Sequence, residues 1–91
     1  MWKIDVPSEV RSKVEAMAAE LNKWINSGKW ELFNDDAKAL ANLYSMNDLL
    51  LMGVKYVKLP GNRFYLELPY RELEEKDVEM ILMKYAKTAS K

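Results

Sequence analysis

The chain of 91 residues has neither cysteine nor histidine. Without cysteine there are no disulfides and no thiolate chemistry. Without histidine the chain lacks the side chain that normally changes charge near neutral pH and supplies most general acid–base catalysis. Glycine and proline number only three each, and three scattered glycines cannot build a phosphate-cradling or dinucleotide-binding loop. No apolar run exceeds four residues, as in Leu49-Leu50-Leu51-Met52, whereas a bilayer span takes about 20. Charge of one sign is missing as well. Lysine plus arginine equals aspartate plus glutamate at fourteen each, so no whole-molecule field draws in nucleic acid or anionic lipid. The opening Met1-Trp2-Lys3-Ile4-Asp5-Val6-Pro7 carries no apolar leader, and the expectation is a cytoplasmic protein with no membrane association.

The side chains that remain offer little to catalysis. No serine sits between glycines as a strained nucleophile turn requires. Asp35-Asp36 is read as a helix start. Glu74, Glu75, Asp77 and Glu79 follow one another along a helix and fan around it, whereas a calcium loop makes its acids converge. The expectation is a non-enzymatic protein with no cofactor and no metal.

A core is well supplied, since 49% of residues are apolar and ten are aromatic. The length fits one domain over 1–91. Trp2, Ile4 and Val6 alternate with Lys3 and Asp5, the pattern of a short strand or extended arm. Pro7 suits a first helical turn. Val10, Val14, Met17, Leu21, Trp24 and Ile25 then recur at spacings of three and four, predicting a half-buried helix over about 7–27. Arg11, Glu15, Asn22, Lys23 and Asn26 lie on its polar side, and Ser27-Gly28 marks its end. Trp30, Leu32 and Phe33 make a brief strand within 29–33.

Asn34 is expected to cap the next helix, with Asp35 and Asp36 at the positive end of its dipole. Ala37, Leu40, Ala41 and Tyr44 form the buried face of that helix. Ser45-Met46-Asn47-Asp48 has the spacing of a capping box, so a turn near Tyr44-Ser45 and a second short helix over about 46–52 are read here. A continuous helix over 35–52 is the alternative. Two strands, 54–59 and 63–68, flank Pro60-Gly61-Asn62 and read as a β-hairpin. A last helix is predicted over 71–88, acidic early and basic late.

Two surfaces stand out. Lys55, Lys58 and Arg63 flank the hairpin and Asn62 sits at its tip, a set able to touch phosphates. On the last helix Val78, Ile81, Leu82 and Tyr85 share a core-facing stripe at 100° per residue. Leu73, Met80 and Met83 fall nearly opposite, and methionine is common at adaptable binding surfaces. This second stripe is read as a partner interface, most simply with a second copy of the chain. On the short helix Leu49, Leu50, Leu51 and Met52 point in four directions, more than one core contact uses.

The order of elements (long helix, short strand, helix, short helix, hairpin, last helix) resembles the winged helix-turn-helix family over 7–68, with an added C-terminal helix of the kind that often makes dimers there. The fold class is therefore expected to be a small, helix-rich α+β domain, winged-helix-like with an extra C-terminal helix. The main alternative is a three-stranded sheet in which 2–6 pairs with the hairpin beneath covering helices. The resemblance implies that 45–52 is the recognition helix and 55–63 the wing, with Asn47 the one base reader. That helix is apolar and its only charge is acidic, whereas DNA-reading helices carry basic and amide side chains. The leading expectation is a protein-interaction module that forms a homodimer or binds another protein. The alternative is a DNA-binding transcriptional regulator acting through Asn47, Lys55, Lys58, Asn62 and Arg63.

Overall fold

The computed structural model describes residues 6–89. Four helices accompany a three-stranded antiparallel sheet in the order α1 (Ser8–Asn26), β1 (Glu31–Phe33), α2 (Asn34–Leu43), α3 (Met46–Leu51), β2 (Lys55–Lys58), β3 (Phe64–Glu67) and α4 (Glu75–Ala89). This is the expected small α+β domain, and its layout is compatible with a winged helix. The strand proposed for 2–6 lies outside the described residues except for Val6, which is in no regular element.

α1 buries the side chains its periodicity selects, with Val14, Met17, Ala18, Leu21 and Ile25 in the core. It ends where glycine is needed. Gly28 takes φ +85°, and the amides of Gly28 and Lys29 return to the carbonyls of Ile25 and Trp24, the paired bonds of a Schellman motif. α3 closes the same way: Gly53 at φ +92° donates to Leu50, and Val54 donates to Leu49.

Residues 34–51 form two helices rather than one. Tyr44 is extended, and the Ser45 hydroxyl accepts the amide of Asp48 at 3.1 Å, the cap predicted for a second helix. Asn34 behaves otherwise than expected. It adopts φ +37°, a left-handed conformation that asparagine tolerates better than most residues. α2 has no side-chain cap, because the Asn34 Oδ1 accepts the amide of Phe64 at 3.2 Å instead. The side chain thus fastens the start of α2 to the hairpin.

The strands lie in the order β1-β3-β2, so the third strand of the sheet is β1. Three cross-strand rows follow from the register: Leu32, Leu66 and Tyr56; Phe33, Tyr65 and Val57; and Glu31, Glu67 and Lys55. Successive strand residues face opposite sides, which places the first row towards the helices and the other two outward. Leu32, Leu66 and Leu68 join the core, and Phe64 packs against it.

α4 starts at Glu75, four residues later than predicted from sequence. Before it, Asn22 clamps Leu73 by donating to its carbonyl at 3.0 Å and accepting from its amide at 2.8 Å. Asp77 then accepts the Glu74 amide at 2.7 Å, the reciprocal half of a capping box. Asp77 also accepts two bonds from Arg71 at 2.8 and 2.9 Å. This guanidinium holds the Asp77 carboxyl below its ordinary range. Val78, Ile81 and Leu82 are buried as predicted.

Candidate interaction surfaces

α3 is held from inside by one carboxylate. Asp48 is only 8% exposed and receives the Tyr85 hydroxyl of α4 at 2.6 Å and the Lys13 ammonium of α1 at 2.8 Å. Burial pushes this carboxyl up. Hydrogen bonds from Lys13, Tyr85 and Ser45 together outweigh burial and hold its pKa at about 2. Burial, and then the bond to Asp48, push the Tyr85 phenol above its ordinary value. The single charge on α3 therefore faces the interior, already paired. Leu49 and Met52 are buried, Leu51 is half-buried, and Asn47 and Leu50 face solvent. Leu43, 68% exposed, is another apolar side chain in solvent, at the end of α2.

The structure divides the basic residues of the hairpin. Lys55, Lys58, Asn62 and Arg63 are all exposed, but Lys55 and Lys58 are three apart on a strand and so face opposite sides. Lys55 lies in the row with Glu67 and Glu31, at the base of the hairpin. Lys58 pairs with Phe64 near the turn, where Leu59 donates to the Arg63 carbonyl. Lys58, Asn62 and Arg63 thus lie at the tip end of the hairpin and Lys55 does not, while the same alternation turns Lys58 and Arg63 to opposite faces. Asn47 belongs to α3, a separate element.

The residues proposed for a partner interface also divide. Met80 and Met83 project from α4 at 59% and 37% exposure, whereas Leu73 precedes the helix and packs half-buried against the core. Its position follows from the Asn22 clamp, which fixes the backbone on both sides of the side chain.

Sequence reasoning missed a further surface. The outward row Phe33, Tyr65 and Val57 carries two rings with centroids 4.9 Å apart. At the end of the sheet away from the hairpin turn, Trp30, Tyr70, Pro69, Glu31, Glu67 and Lys55 line a cleft of about 330 Å³. Only the register shows that Glu31 and Glu67 are neighbours. The one signal in the sequence was the pair Trp30 and Phe33 around Leu32, more large apolar side chains within 29–33 than one buried face of a short strand uses.

Among the described residues no three histidine, cysteine, aspartate or glutamate side chains are grouped so as to hold a metal ion, and no helix is long and apolar enough to cross a membrane. Comparison with known proteins finds no matching family model, no similar curated protein and no similar solved structure.

Proposed function

We propose that the protein is a non-enzymatic, cytoplasmic protein-interaction module of winged-helix type, which binds its partner through the outer face of α4. The observation that carries this reading is the exposure of Met80 and Met83 on a helix whose other face is buried. Adaptable thioethers held on a fixed helix suit a protein contact. The simplest partner is a second copy, because a twofold axis lets one patch complement itself. Leu73 takes no direct part in this reading. The order helix, strand, helix, helix, hairpin supports the winged-helix assignment, with α4 as the addition. Sedimentation across a concentration series tests the proposal. The native chain is expected to gain mass with concentration, and the Met80→Lys, Met83→Lys double variant to stay monomeric. Equal mass and equal stability for the two proteins would overturn it.

A second reading, a DNA-binding regulator, is favoured by one specific observation. Asp48 is turned inward and paired, so α3 presents no acid outward, and Lys58, Asn62 and Arg63 are all exposed at the tip end of the hairpin. Anisotropy of labelled duplex DNA at low salt tests this reading. Affinity that falls steeply with salt and is lost in Lys58→Glu, Arg63→Glu would support it.

A further inference from the structure

The cleft at the end of the sheet combines three features that free folding does not explain. Glu31 and Glu67 are directly opposite in the ladder, and like charges in that relation destabilise a sheet. Lys55 flanks Glu67 on the other side, yet among the described residues neither glutamate lies within ion-pair distance of a lysine or arginine. Their field is felt nearby: burial and then these two carboxylates raise the Tyr65 phenol above its ordinary value. Two rings, Trp30 and Tyr70, stand at the same opening, and Tyr70 is 90% exposed. A ring left in water adds nothing to the stability of the free chain. The third feature is backbone. Leu68 donates to the Trp30 carbonyl, and antiparallel pairing alternates, so the N–H and C=O of Glu31 point away from β3. The order β1-β3-β2 puts them on an edge of the sheet.

We propose that β1 and this cleft bind an extended basic segment of a partner protein, with one arginine or lysine side chain seated in the cleft. The cationic head lies between the carboxylates of Glu31 and Glu67. Its aliphatic stem runs along Trp30 and Tyr70, where ring faces attract a cation. Backbone bonds to Glu31 add the peptide to the sheet edge, a general mode of peptide recognition in which pockets for alternate side chains set specificity. None of these residues lies on α4, so the proposal stands or falls separately from the α4 interface.

The test is titration of the full chain with a capped pentapeptide, one arginine flanked by threonines and valines, followed by amide and indole chemical shifts. Shifts are expected at Trp30, Glu31, Gly53, Glu67 and Tyr70. The double variant Glu31→Gln, Glu67→Gln should bind about tenfold more weakly with a melting temperature no lower than that of the native chain. Tyr70→Ala, at an exposed position, should weaken binding without loss of fold. Equal binding of the same peptide with glutamine in place of arginine would overturn the proposal. So would shifts that centre on Lys58 and Arg63, or an unchanged affinity in the double variant.

Discussion

The Tyr85 hydroxyl donates to the Asp48 carboxylate at 2.6 Å, joining the last helix to the six-residue helix α3. A helix of that length is not stable by itself, so its place depends on what grips it. Leu49 supplies an apolar grip and Asp48 a polar one. Tyr85→Phe keeps the ring and removes the donor, leaving Asp48 with Lys13 and Ser45. A hydrogen bond to a charged group contributes about 1.5–3 kcal/mol, and a loss of about 2 kcal/mol in urea-unfolding stability is expected. Amide exchange should quicken most at Leu49 to Val54. Uniform acceleration throughout the chain would show that α3 is not the element being held.

The same carboxylate sets a pH dependence. The folded pKa of Asp48 is about 2 against an ordinary 3.8, so the unfolded chain binds the proton more readily. The resulting stability is fully present above the ordinary value and is lost as pH falls through the folded one. Asp77, depressed mainly by Arg71, acts with the same sign. Tyr85 acts oppositely: its raised pKa gives stability that is fully present below the ordinary 10.0 and is lost as pH rises from there through the higher folded value. Melting temperature should therefore drop as pH is lowered below about 4. Asp48→Asn should melt lower than the native chain at pH 6 and show a flatter acid limb. Parallel acid limbs in the two proteins would assign the dependence to other groups.

How much of this was legible in the sequence depended on how far apart the interacting residues lie. The α1 stripe, the Ser45 cap, the glycine stops, the hairpin and the core face of α4 are local patterns, written within a few residues. The polar side of α1 was legible, but the distant partners of two of its residues were not. Arg11 pairs with Glu79 at 2.7 Å across 68 residues, and Asn22 binds Leu73 across 51. Asn34 left its predicted capping role for a partner 30 residues away. In each case a distant backbone or charge won over the local option. The separation of Lys55 from Lys58 follows from strand alternation and was available beforehand. The pairing of Glu31 with Glu67 was not, because register depends on β1 finding β3.

Asn22 fixes the segment between β3 and α4 by satisfying both backbone groups of Leu73. In Asn22→Ala both groups lose their partner in a half-buried place. At about 1 kcal/mol per bond, a stability loss of about 2 kcal/mol is expected. Protease cleavage between Pro69 and Glu74 should rise well above that of the native chain. Asn22→Asp makes a sharper comparison: it can still accept the Leu73 amide but sets a charge against the carbonyl. It should fall between the native chain and Asn22→Ala at pH 4 and lose ground as the new carboxyl ionises. Identical cleavage in all three proteins would mean that the clamp does not restrain the segment.

Gly53 closes α3 at φ +92° with open surroundings, where an added Cβ would meet only Pro69 Cγ at 3.8 Å. Space is therefore not the constraint there; backbone conformation is. Gly53→Ala should cost about 1 kcal/mol, since alanine is strained at positive φ. Gly53→Asn should cost less, because asparagine tolerates that region better. The Schellman bonds from Gly53 and Val54 end α3 next to β2, so the alanine variant is also expected to quicken amide exchange at Val54 and Lys55. An alanine variant as stable as the native chain would show that α3 can end in another conformation and that the glycine is not what sets the α3–β2 junction.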